Sequence, residues 1–202
     1  MIIRIDNNKQ IKNIERFLFF YRSFLFKFIY FEIDSNMDKS NIGDFSEIIN
    51  ALNIKKRKAR ISYIYERACF FADCFFENRN LCEFIDGKCL SYRIGNRDEI
   101  NGCCRMCQYK TGGVCPTKNL ACKLFYCTSV KKKNDTLSFD DIRILKVLTA
   151  GQRFILKSDY FSLEKDVILD VYYGPFIAPF RITYRFISSF IKNKIKKMNF
   201  FK

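Results

Sequence analysis

Thiols are the chain's most concentrated chemistry. Asn101–Cys127 holds six of its ten cysteines: Cys103, Cys104, Cys107, Cys115, Cys122 and Cys127. Gly102, Gly112, Gly113 and Pro116 punctuate the run, and aliphatic residues are sparse. A stretch so rich in turn formers needs cross-links to hold its shape. The first ten residues show neither an apolar run nor a small-residue cleavage site. That predicts a chain without a secretory signal, in a reducing cytoplasm. There, clustered thiols point to metal more than to structural disulfides. Disulfide or redox chemistry and plain burial are the competing readings.

Spacing sharpens the metal reading. Cys104 and Cys107 form a C-x2-C knuckle, whose tight turn aims two sulfurs at one ion. Cys115, Cys122 and Cys127 offer the other half of the site. An all-thiolate set suits tetrahedral zinc or a [4Fe–4S] iron–sulfur cluster. Cys89 stands in reserve as a further ligand. Arg105, Lys110, Lys118 and Lys123 lie among the cysteines, and their charge offsets that of a thiolate site.

The run Gly102-Cys103-Cys104-Arg105, the glycine-rich gap to Cys115, and the ending Asn119–Phe125 together resemble the zinc- or iron-chelating cysteine-cluster family. The resemblance implies that Cys103, Cys104, Cys115 and Cys122 ligate metal. It spans residues 102–125 of 202. Two features depart from the family pattern. The knuckle runs after the double cysteine instead of before it, and Tyr126-Cys127 stands where the family often places a proline.

Composition excludes several activities. Histidine is absent. That removes Ser-His-Asp and Cys-His nucleophile systems, HExxH metalloproteases and Cys2His2 fingers. Neither a Walker-type nor a dinucleotide-type glycine motif is present. An enzyme with a cysteine nucleophile remains open, with Lys, Arg or a helix terminus activating the thiol. The net charge of +15 suits nucleic acid or an anionic membrane surface. An A/T-biased coding sequence would give the same Lys, Ile, Phe and Asn richness. No apolar stretch is long enough to span a bilayer.

The elements that must position this chemistry read as mainly α. The architecture expected is a helical domain with an inserted cysteine-rich metal-binding lobe and a small β-hairpin. Residues 1–80 form an N-terminal helical region, 81–128 the lobe and 129–202 a C-terminal helical region, together one domain. Ile2–Ile5 reads as a short strand or an arm. Lys9–Ile33 reads as one long helix, with Ile14, Leu18, Tyr21, Leu25, Phe28 and Phe31 at helical spacing. Phe45–Leu52 reads as one or two helical turns. The basic run Lys55–Arg60 leads into a helix through Asn78. Its stripe is Ile61, Ile64 or Tyr65, Ala68, Ala72 and Phe75 or Phe76. Cys69 and Cys74 on that helix are turned too far apart to share an ion, and Cys69 reads as a small core residue. Leu81–Tyr92 reads as a hairpin about Asp86-Gly87, with Cys82 diagonal to Cys89.

Beyond Cys127, Ser138 and Asp141 resemble a capping box for a helix to Thr149, with Gly151 as its stop. Ser162 reads as the N-cap of a helix through Tyr173, which Gly174-Pro175 ends. Phe180–Lys197 reads as a cationic amphipathic helix, able to lie on an anionic membrane, bind a polyanion or dock on the core. The functional expectation is a metal-binding protein with a redox or sensing role and a redox or protein partner. The alternative is a nucleic-acid-binding or membrane-surface protein with a structural zinc lobe.

Overall fold

The N-terminal strand is real and has a partner that helical periodicity conceals. The structure is a computed structural model that describes residues 2–20, 29–34, 45–77, 79, 81, 83, 119–160 and 162–199. Strand β1 (Ile2–Ile5) pairs in parallel with β2 (Tyr30–Ile33), Ile2 opposite Tyr30 and Ile5 opposite Ile33. Parallel strands need a long crossover, and helix α1 (Asn8–Phe20) lies within it. Asn7 accepts from the Gln10 amide at 3.0 Å, and Gln10 Oε1 accepts from Asp6 N at 2.8 Å, a reciprocal pair at the helix start.

The expected single helix Lys9–Ile33 is therefore corrected, because its last four residues are strand. Phe31 fits a helical stripe, but burial alternates along Tyr30–Ile33 with the period of a strand. Asn53 then completes the open edge of β2. Its Oδ1 accepts from Phe31 N at 3.0 Å and its Nδ2 donates to Phe31 O at 2.9 Å.

Helices α2 (Phe45–Asn53) and α3 (Arg57–Phe76) come next. The expected stripe of α3 is the buried one: Ile61, Ile64, Tyr65, Ala68 and Ala72. After residue 118 come α4 (Leu120–Lys123), α5 (Thr128–Lys133), a 3-10 helix η1 (Arg143–Val147), α6 (Ala150–Ser158), α7 (Glu164–Tyr173) and α8 (Ala178–Asn199). The described residues are thus mainly helical, with one small parallel sheet. The hairpin expected about Asp86-Gly87 lies outside them.

One apolar cluster runs from Ile5 and Phe31 through Ile48, Leu52 and Ile64 to Leu145, Ile155 and Val171. Each fully buried Ile or Leu contributes roughly 1.5–3 kcal/mol. α3 lies against η1 and α7, while α1 and α2 also lie against η1. The N-terminal and C-terminal helical regions so share one core.

Three expectations about helix ends change. The Ser138–Asp141 pair makes a turn and not an α-helix start. Asp141 Oδ2 accepts from Ser138 N at 2.7 Å and from Ser138 Oγ at 2.6 Å. The chain beyond this turn coils as 3-10 because five of the seven residues Ile142–Leu148 are buried. At about 120° per residue Ile142, Leu145 and Leu148 form one column, with Ile144 and Val147 in the next. An α-helix would scatter them around its circumference.

Gly151 stops nothing, since it is the second residue of α6. Thr149 and Gln152 form the capping box that begins this helix. A Cβ at Gly151 would stand 3.4 Å from Pro175 Cγ, so the glycine admits a close neighbour. Leu163, not Ser162, occupies the N-cap of α7, because the Ser162 hydroxyl is engaged elsewhere.

Candidate metal centre

Two of the seven expected ligands, Cys122 and Cys127, lie among the described residues. Cys89, Cys103, Cys104, Cys107 and Cys115 lie outside them, as does Cys82. Among the described residues no group of three or more Cys, Asp and Glu side chains is gathered as a metal site.

Cys122 sits in the single turn of α4. Asn119 caps that turn by accepting from Cys122 N at 3.0 Å. Leu120 and Ala121 are buried beside it, and Leu120 N donates to Tyr65 Oη at 3.2 Å. Lys123 Nζ ion-pairs with Asp73 on α3. Leu124 is buried, and Tyr126 is buried with its ring 5.7 Å from Phe76. Cys127 occupies the N-cap position of α5. Both thiol positions are half-buried. Leu120, Lys123 and Tyr126, every third residue, thus pin the end of the cysteine run to α3, and the two cysteines stand at the border of core and solvent.

The other two described cysteines, both on α3, stand apart. Cys74 is exposed, and Cys69 packs against the core. Cys69 lies in an open groove of about 790 Å³ with Tyr65, Asp73, Asn119, Lys123 and Glu164. Burial pushes its thiol up to about 11, with Lys123 opposing. A thiol held protonated at neutral pH is a poor nucleophile and a poor ligand.

A buried charge cluster, not foreseen from sequence, borders this region. Asp159 and Asp170 are both fully buried, and Arg185 lies between them with a side chain 14% exposed. Arg185 Nη2 is 3.2 Å from Asp159 Oδ2 and also pairs with Asp170 Oδ2. Arg185 Nε donates to Ser162 Oγ at 2.7 Å, and Ser162 Oγ donates to Asp159 Oδ1. Arg181 Nε reaches Asp170 Oδ1 at 2.5 Å. Asn119 joins this cluster to the cysteine run: its Nδ2 donates to Asp159 O at 2.8 Å and Ser162 O at 3.0 Å.

Two carboxylates and two guanidiniums compensate each other, as buried charges require. Burial raises the Asp159 carboxyl, against the Ser162 hydrogen bond and the Arg185 charge. Ser162 is 1% exposed and its hydroxyl is engaged by both Asp159 and Arg185, within the core and away from solvent. The arrangement is a clamp joining α6, α7 and α8. A faint sequence signal existed: Asp170 falls on the apolar side of α7 with Val167 and Val171, and Arg181 and Arg185 are one helical turn apart.

No family model, curated protein or solved structure matches the chain. Function must be argued from the chain's own chemistry.

The basic run Lys55–Arg60, which leads into the first turn of α3, is partly consumed by the fold. Lys55 Nζ donates to Ile29 O at 2.7 Å and lies 3.7 Å from the Tyr30 ring centroid. Arg60 Nε donates to Ile54 O at 2.8 Å. Lys56, Arg57 and Lys58 are exposed. No helix among the described residues is long and apolar enough to cross a membrane.

Proposed function

We propose that the chain is a metal-binding protein in which four thiolates from Cys103, Cys104, Cys107, Cys115, Cys122 and Cys127 hold a [4Fe–4S] cluster or zinc, with Cys89 in reserve. The observation that carries this is the density of thiols: six cysteines within Asn101–Cys127. The resemblance of residues 102–125 to the zinc- or iron-chelating cysteine-cluster family supports it. So does the placement of Cys122 and Cys127, which are half-buried and flank the buried Leu124 and Tyr126. Thiolates need a reducing compartment, so a cytoplasmic location belongs to the proposal. A cluster would supply electron transfer or redox sensing to a protein partner. Zinc would supply a structural brace.

The test is anaerobic purification followed by metal, sulfide and absorption analysis. The expected result is one metal site per chain. Iron with sulfide and a broad band near about 400 nm marks a cluster, and colourless protein with zinc marks a brace. Cys104→Ser and Cys122→Ser should lower metal content. Metal-free protein with every thiol reduced overturns the proposal. Nucleic-acid binding through Lys55–Arg60 is the weaker reading, because Lys55 and Arg60 already bond backbone carbonyls.

A further inference from the structure

α8 is amphipathic in an inverted sense: its charged arginines point inward and an apolar stripe points outward. Arg181 and Arg185 are held by Asp170 and Asp159, and Ala178 and Ser189 are buried. On the opposite side Phe180, Tyr184, Ile187, Ile191 and Ile195 are each between 50% and 78% exposed. At 100° per residue these five fall within about 80° of helix circumference. Phe176, just before the helix, is 86% exposed. An apolar surface of this length is an interaction site and not incidental exposure.

Charge selects the occupant. No acidic residue follows Asp170, while Lys192, Lys194, Lys196, Lys197 and Lys202 do. The steps of four, three, four and four residues also fit the seam of a helical pair. A second copy would bring like charges together, with no acid on either α8 to flank the seam. A surface offering apolar depth beneath negative charge satisfies both features of the helix.

We infer that the outward face of α8 docks on an anionic lipid membrane, with the helix lying in the plane of the interface. Phe180, Tyr184, Ile187, Ile191 and Ile195 enter the acyl boundary. The excess of lysine over acid in the sequence from Lys192 onward supplies the positive charge that an anionic surface attracts. The clamp of buried Asp159 and Asp170 with Arg181 and Arg185 holds the helix to the domain as it docks. This inference does not depend on the metal proposal and stands or falls separately.

The test uses the full-length chain and vesicles of phosphatidylcholine with or without phosphatidylglycerol. Co-sedimentation is expected with the anionic vesicles and should weaken as salt is raised. The double variant Ile187→Asn/Ile191→Asn changes exposed residues only, so its circular dichroism should match the wild type. Its vesicle affinity should fall by about tenfold or more. The chain has no tryptophan, so Tyr184→Trp provides a single reporter, whose emission should shift to the blue on adding vesicles. Three results would each overturn the inference: no co-sedimentation with anionic vesicles, equal binding by wild type and double variant, or a homodimer in solution that the double variant dissociates.

Discussion

Arg185 shows most directly how one residue can hold this structure together. Its guanidinium contacts Asp159, Asp170 and Ser162 together. Arg185→Met keeps the aliphatic stem and removes the charge, leaving Asp159 uncompensated and Asp170 with Arg181 alone. Stability should fall by about 3–5 kcal/mol, the usual cost of breaking a buried pair, read by urea denaturation. A second residue-scale prediction concerns Cys69. Its thiol is raised from the ordinary 9.0 to about 11 in the folded protein. Between those values the unfolded chain loses a proton that the folded chain keeps. Stability should therefore decline as pH rises from about 9 to about 11. Cys69→Ala should remove that part of the decline. Alkylation and peptide mapping at pH 9 should label exposed Cys74 before Cys69.

Among the elements, helix ends show where local residue choice sufficed and where it did not. Thr149 and Gln152 close the box at the start of α6, so Thr149→Ala should cost about 1 kcal/mol. Gly174 ends α7 with φ of 86° and ψ of −174°. Nothing stands within 4 Å of an added Cβ there, so the cost of Gly174→Ala is conformational, about 1–3 kcal/mol. Both values can be read from denaturant midpoints at constant slope. The stripe of α3 and the stop at Gly174 were legible because they are local: a period of 3.6 and a glycine with positive φ. The starts expected at Ser138 and Ser162 differ for two reasons: the Ser138–Asp141 pair forms but the chain beyond it coils as 3-10 against the core, and the Ser162 hydroxyl is taken by the charge cluster. Asp141 bonds Ser138 within a turn, and Ser162 accepts from Arg185 of α8 and donates to Asp159, three residues before it.

Over the whole molecule, Asn119 is the joint between the cysteine run and the helical core. Its amide group donates to two carbonyls beside Asp159 while its Oδ1 caps the turn that carries Cys122. Asn119→Ala should destabilise the fold by about 1–3 kcal/mol by leaving buried carbonyls unpaired. If residues 103–127 hold metal, the same change should also weaken retention of that metal under a chelator. Metal would bind the folded chain in preference to the unfolded one, so chelation should lower the melting temperature of the wild type.

By itself the sequence determined a mainly helical chain, the inward stripe of α3, a basic and amphipathic last helix, and a dense run of thiols without histidine. These come from short-range periodicity and residue chemistry, which need no partner to be read. Tertiary structure alone decided that Tyr30–Ile33 is a strand, because β1 and Asn53 supply its backbone bonds. It likewise decided that residues 142–148 coil as 3-10, because the core takes five of their side chains. It placed Arg181 and Arg185 inward against buried aspartates and so turned the apolar stripe of α8 toward solvent. A buried charge goes where its counter-charge lies, and that partner, 11 to 26 residues away in the chain, is not named by the periodicity of either helix.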